Sequence, residues 1–225
     1  MNSIGDRIKG YERASNNTLT PRMPVFIRVD GKAFHTFTRG MEKPFAQSLI
    51  NTMVKAAELT AQEMQGFKLA YVQSDECTFM ITDNDTLETT GWFGYEINKL
   101  VSITAAMYTA FFNKYWHLDV DEQAFETVFF DARAFNVPIE DAPNVFIWRQ
   151  RDWERNSIQM LARSHFSQKQ LEKKKMADIH EMLHEKGVNW AKLSPQLKNG
   201  TFIRRDGGLL YDKLDYEAIQ ELLKA

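Results

Sequence analysis

The amino-acid sequence predicts a mixed α/β (α+β) chain. Its core is a ferredoxin-like β-α-β-β-α-β antiparallel sheet, followed by a mostly helical C-terminal appendage with a small hairpin. Three observations lead there. Compact apolar runs alternate with stretches of helical periodicity over residues 1–138; two of the runs stand side by side across a short polar turn; and over residues 139–225 the strands largely give way to helices. No repeat or Pro/Ser/Gly-rich linker separates the two parts, so the appendage is expected to pack on the core, with one continuous domain as the alternative.

A short polar helix is expected from Ile4 to Ala14. Val25 to Val29 is an apolar, β-branched run that reads as a buried strand ending at Asp30-Gly31. From Ala46 to Gln65, residues Ile50, Val54, Ala57, Ala61 and Met64 fall on one helix face, and Gly66 supplies the stop. Leu69 to Gln73 and Cys77 to Ile81 form two strands around Ser74-Asp75-Glu76, with Cys77, Phe79 and Ile81 alternating onto one face. Trp92 to Lys114 is expected to be helical, with a stripe of Phe93, Ile97, Leu100, Thr104, Met107 and Phe111. Val128 to Ala132 is the fourth strand.

Beyond it, Asn144 to Phe166 reads as a helix. Ser167 and Gln170 form a capping box for another that ends near Gly187. Ser194-Pro195 opens a helical turn. Thr201 to Arg205 and Leu209 to Lys213 flank Asp206-Gly207-Gly208, a hairpin signal, and Asp215 to Leu223 is a terminal helix.

Twenty-eight Lys and Arg against 30 Asp and Glu leave a net charge of −2, and 44% apolar with 12% aromatic residues excludes a disordered chain. The single cysteine, Cys77, excludes a disulfide framework and fits a reducing compartment. The charged N-terminal stretch does not resemble a signal peptide, and the longest uncharged stretch, Leu100 to Asn113, falls short of the roughly 20 residues that span a bilayer. A cytoplasmic protein with no membrane partner is expected. Between Arg149 and Lys175, eight basic residues oppose three acids. That segment is either a solvated helix face or a phosphate-backbone contact for RNA.

Right-handed crossovers make the first and second strands run in one direction, with the third antiparallel between them. The end of strand one and the turn between strands two and three then share a sheet edge, which places Asp30 beside Asp75-Glu76. Clustered carboxylates repel unless a cation intervenes, and an all-oxygen ligand set favours Mg²⁺ or Mn²⁺ over zinc. Two such ions would serve nucleotidyl transfer. Gly31 permits close backbone approach, and the amides of Lys32, Ala33, Phe34 and His35 are placed to form an anion nest for a triphosphate, with Lys43 and Lys99 within reach. The same dipeptides are also ordinary turn chemistry.

Ile27 to His35 (Ile-Arg-Val-Asp-Gly-Lys-Ala-Phe-His) resembles the nucleotide-binding motif of the tRNA(His) guanylyltransferase-like family, the 3′-to-5′ polymerases. Gln73-Ser74-Asp75-Glu76, Lys43-Pro44, Phe130-Asp131-Ala132-Arg133 and Trp148-Arg149-Gln150 resemble that family too. The likeness implies a palm-like catalytic core and a two-step reaction. A tRNA 5′-monophosphate is activated by a nucleoside triphosphate, and the 3′-hydroxyl of an incoming nucleotide then attacks the activated end. It implies Asp30, Gly31 and Asp75 as ligands of two Mg²⁺ ions and Asp30, Asp75 and Glu76 as catalytic. Asp30 to His35, Lys43, Ser74, Asp75 and Lys99 would be the nucleotide-binding set, with ATP and GTP as substrates. RNA would be held by Arg149, Arg151, Arg155, Asn156, Lys169, Lys173, Lys174 and Lys175, and a homotetramer is implied. The eukaryotic His-Ile-Asn-Asn-Leu-Tyr-Asn-Thr motif is replaced by Glu154-Arg155-Asn156-Ser157-Ile158-Gln159-Met160-Leu161, and Lys43-Pro44 is followed by Phe45-Ala46. Both departures resemble the bacterial, archaeal or phage-type branch, which repairs tRNA 5′ ends from a template.

Two other functions fit the same topology. A palm-fold nucleotide cyclase would turn over nucleotide without an RNA acceptor. A non-catalytic ferredoxin-like RNA-binding module would carry stacking aromatics on strand three, and no such pattern stands there.

Overall fold

The computed structural model describes residues 3–119 and 126–224. Its helices are Ile4–Ala14 (α1), Phe34–Phe37 (α2), Gln47–Gln62 (α3), Ile97–Asp119 (α4), Ala142–His165 (α5), Gln168–Leu171 (α6), Met176–Glu185 (α7), Pro195–Asn199 (α8) and Tyr216–Lys224 (α9). The strands are Val25–Gly31 (β1), Phe67–Gln73 (β2), Glu76–Ile81 (β3), Phe130–Asn136 (β4), Thr201–Arg204 (β5) and Leu209–Leu210 (β6). They form one sheet in the order β4-β1-β3-β2-β5-β6, every neighbouring pair antiparallel. The first four strands and two crossover helices are the expected split unit. The hairpin assigned to the appendage instead extends this sheet, because β5 pairs with the open edge of β2.

The sheet is covered on both faces, which explains why every residue of β2 is buried. Val25, Ile27, Val29, Cys77, Phe79 and Ile81 point toward α3 and α4. Phe26, Leu69, Tyr71 and Met80 point the other way, toward Phe146 of α5 and Ile219 of α9. A third apolar cluster, with Ile158, Leu161, Ile179 and Leu183, joins α5 to α7.

Two expected helices differ. The Trp92 helix is interrupted: Phe93, Gly94 and Tyr95 adopt positive φ, α4 begins at Ile97, and Phe93 is exposed. The buried stripe of α4 is therefore Leu100, Thr104, Tyr108 and Phe112. The helix after Ser167 keeps its capping box but stops after one turn. Lys173 adopts a φ of 61°, and α7 restarts where the Lys175 amide donates to the Asp178 carboxylate at 2.9 Å.

Gly66, at a φ of +76°, is required where α3 hands over to β2. A Cβ there would stand 2.0 Å from the Thr82 carbonyl oxygen, and Thr82 N–H donates to the Gly66 carbonyl at 2.9 Å. Gly66→Ala is expected to cost about 1–3 kcal/mol from backbone strain alone. Urea unfolding should show a lower midpoint at unchanged slope; an unaltered midpoint would contradict the steric account.

Candidate active site

β1 continues through Asp30 and Gly31 instead of stopping before them, so both are held by strand pairing. Asp30 lies opposite Glu76 on β3 and Asp131 on β4. Gly31 N–H donates to the Asp75 carbonyl at 3.0 Å, fastening the end of β1 to the β2–β3 turn. Two acids remote in the chain thus share one edge. By strand alternation Arg28, Asp30, Glu76, Asp131 and Arg133 stand on the face that carries Phe26, the face α5 covers.

The electrostatics separate the three expected carboxylates. Burial, then the charges of Asp75 and Asp131, push the Asp30 carboxyl above its ordinary value. Burial raises Asp75 as well, with hydrogen bonding to Ser74 pulling the other way. Glu76 is raised by burial but held by cations: Arg149 Nη1 donates to its two oxygens at 3.0 and 3.3 Å, and Arg28 Nε lies 3.5 Å away. Glu76 is therefore turned into an ion-pair lattice, while Asp30 feels Arg133 and Arg28 only as weaker opposing charges and its carboxyl stays raised. Among the described residues no three His, Cys, Asp or Glu side chains gather as a metal site. The Asp30–Asp75 pair supplies two oxygen donors, with the Gly31 carbonyl as the candidate third.

The anion loop is narrower than expected. Lys32 N–H is occupied by the Phe129 carbonyl at 2.8 Å, leaving the amides of Ala33, Phe34 and His35 without a backbone acceptor among the described residues. Ala33 and Ser74 both take left-handed backbone, with φ of 56° and 49°, where the two segments meet at this edge. Phe34 contributes its backbone alone. Its ring is buried among Phe37, Phe112 and Phe130 at centroid distances of 5.2 to 5.9 Å. A Cβ on Gly31 would stand 2.1 Å from that ring, which is the close approach the glycine permits. The Lys32 ammonium is exposed, 5.8 Å from the Phe129 ring centroid.

A cleft of about 450 Å³ opens beside this loop. His35, Lys43, Ser74 and Asp75 line one side, and Trp153, Met160, Arg163 and Ser164 of α5 line the other. The α5 wall carries no expected nucleotide-binding residue. The 7,3 spacing of Trp153, Met160 and Arg163 marks one helix face, but periodicity does not say which partner that face meets.

Lys99 does not belong here. β3 leads away from the Asp30 edge, so α4 begins at the opposite end of the sheet and runs back; Phe112, which reaches the Phe34 cluster, is 13 residues and about 20 Å further along the helix. Lys99 pairs with Glu96 at 3.0 Å instead. Arg149 is not a surface RNA contact either. It is 4% exposed and its guanidinium is committed to Glu76 and, at 2.6 Å, to Asp152. Arg155 and Asn156 also contact Asp152. Arg151, Arg155, Lys169, Lys173, Lys174 and Lys175 are exposed. No helix among the described residues is long and apolar enough to cross a membrane.

Comparison with known proteins accords with this geometry. The family model described as Thg1: tRNAHis guanylyltransferase matches residues 5–138. A probable tRNA(His) guanylyltransferase of Drosophila melanogaster is 27% identical over 220 residues, covering 92% of this chain and 74% of that protein. The tRNA(His) guanylyltransferase of Schizosaccharomyces pombe is 30% identical over 197 residues, 81% of this chain and 73% of that one. A solved bacterial tRNA(His) guanylyltransferase (Thg1)-like protein in complex with ATP superposes with a TM-score of 0.94 at 37% identity, covering 99% of this chain and 100% of that one. A structure of such a protein in complex with GTP gives 0.83 at 33% identity, with the same coverage.

Proposed function

The chain belongs to the tRNA(His) guanylyltransferase (Thg1) family, and from that premise we propose that it is a nucleotidyltransferase extending tRNA 5′ ends in the 3′-to-5′ direction, directed by the opposite strand. In the first step an oxygen of the tRNA 5′-monophosphate attacks the α-phosphorus of a nucleoside triphosphate, and pyrophosphate leaves. In the second, the 3′-hydroxyl of an incoming nucleotide attacks the activated 5′ phosphorus, and the nucleoside monophosphate leaves. The observation that carries this reading is the meeting of Asp30 and Asp75 through the Gly31–Asp75 hydrogen bond, beside three open amides and a nucleotide-sized cleft. The two solved bacterial Thg1-like structures compared above are complexes with ATP and with GTP, and this chain follows them along nearly its whole length.

The donor set fits magnesium: two carboxylates and a backbone carbonyl are hard oxygen ligands, and the raised pKa of Asp30 and of Asp75, each caused first by burial, marks ionised forms that a bound cation would stabilise. When bound, Mg²⁺ would stabilise charge on the triphosphate and lower the pKa of the attacking hydroxyl. The amides of Ala33, Phe34 and His35 bind phosphate oxygens. Lys32, Lys43 and Arg163 offer flexible cations at the rim. The exposed bases from Arg151 to Lys175 hold RNA through its phosphates, so tRNA affinity falls steeply with salt. A homotetramer is part of this proposal.

The raised carboxyls set the pH dependence. The folded protein still holds protons that unfolded aspartates have released, so over the window from the ordinary aspartate value up to the raised ones, stability falls as pH rises. Divalent cation binds the ionised pair, so its stabilising effect grows through that same window. In thermal melts, MgCl₂ is expected to raise the Tm more at about pH 7.5 than at about pH 5. An equal rise at both would contradict a site made of these carboxylates.

The activity itself is tested by incubating 5′-labelled full-length and 5′-shortened tRNAs with each nucleoside triphosphate and Mg²⁺. Growth of shortened acceptors, matched to the opposite strand, is expected for repair, whereas one guanosine on intact tRNA(His) marks the guanylyltransferase role. Pyrophosphate release without tRNA would contradict both and favour a cyclase.

A further inference from the structure

Trp148, on α5, is 54% exposed, yet it is clamped. The Arg149 guanidinium lies 4.0 Å from its ring centroid and that of Arg28 5.7 Å, both within cation–π range. Arg149 is the firmer of the two. Arg149 is fixed by Glu76 and Asp152, and Arg28 lies 3.5 Å from Glu76. The lattice that removes Glu76 from a metal site and Arg149 from the surface thus holds a large indole rigid and half open. Arg28 precedes Asp30 by two residues on the same strand face, so the indole stands over the sheet face that carries the catalytic edge.

We propose that Trp148 is a base-stacking platform on the sheet face that carries the Asp30 edge, receiving a nucleobase either from the RNA end being extended or from the nucleotide being added. The inference rests on the nucleotidyltransferase reading. An aromatic ring pre-positioned by its own protein stacks a base without losing side-chain freedom, and stacking is tolerant of base identity, as template-directed addition requires. The surroundings suit the phosphates that flank a stacked base. Trp148 borders a groove of about 820 Å³ whose lining mixes Arg151 and Lys213 with Asp215 and Glu217, so the exposed Arg151 is the cation left for a phosphate, Lys213 being paired with Glu154. Trp148 is a substrate-positioning residue; the bond-making groups remain those of the Asp30 edge.

Steady-state addition to shortened tRNA by Trp148→Ala and Trp148→Phe tests this. The alanine variant is expected to raise one KM by about 5- to 150-fold with a smaller change in kcat, and phenylalanine should recover most of the loss. A raised KM for tRNA assigns the base to the RNA; a raised KM for the nucleotide assigns it to the incoming substrate. Fluorescence titrations with tRNA, ATP and GTP, each as the difference between wild type and Trp148→Phe, should show a quenched Trp148 component with the same ligand. Wild-type KM values in Trp148→Ala together with no quenched component would overturn the platform while leaving the enzymatic reading intact. If wild-type protein adds no nucleotide, that reading falls instead, and the quenching alone decides whether Trp148 stacks a base. Should the alanine variant fail to fold, the phenylalanine variant and the titrations decide.

Discussion

Asp30→Asn and Asp75→Asn are each expected to lower nucleotide addition by about 10³-fold or more, because each removes one of the two anionic donors that the transfer reaction needs. The fold should not suffer. Burial and mutual repulsion already disfavour the ionised forms, so a neutral amide of the same shape relieves a cost present at neutral pH. Melting temperatures without divalent cation should therefore equal or exceed that of the unmodified protein, and the Mg²⁺-induced rise should vanish. Parallel measurement of product formation and Tm checks both halves. Loss of activity accompanied by a large fall in Tm would mean that these aspartates serve the fold and not the reaction.

Arg149→Met carries the largest expected effect on stability. Its guanidinium is 5% exposed and bridges Glu76, 18% exposed, to Asp152, 16% exposed, tying α5 to β3. Removing it leaves Glu76 with only the 3.5 Å contact to Arg28 at a covered interface and Asp152 with Arg155 and Asn156, a loss of about 3 kcal/mol, or roughly 10 °C in Tm for a chain of this size. Activity should fall too, since Glu76 adjoins Asp75 in the β2–β3 turn. The double variant Glu76→Gln/Arg149→Met should regain part of that stability. A double variant as unstable as the sum of the two singles would show that no coupling exists between them.

The split sheet was legible because period-two runs, a polar turn and a 3.6-residue helix each announce themselves over a handful of residues. The convergence of Asp30 and Asp75 followed from crossover handedness, a rule of topology. What escaped depended on which surfaces meet. Arg149 and Arg151 are indistinguishable as sequence, yet α5 docks so that one faces Glu76 under the sheet and the other faces solvent. Lys99 was misplaced although the same topology implies that the crossover helix returns toward the Asp30 edge. Phe34 sits inside the phosphate-binding motif, but its ring fills the aromatic core and only its amide is open. The interruption at Phe93 to Tyr95 is carried by three positive φ values that the helical pattern of neighbouring apolar residues conceals.

Anomalous diffraction from crystals grown with Mn²⁺ and GTP bears most directly on the Asp30–Asp75 edge as the transfer site. Manganese peaks are expected against the carboxylates of both aspartates, with the triphosphate lying along the amides of residues 33–35. Manganese and triphosphate bound together elsewhere on the protein, with those two carboxylates bare, would contradict it.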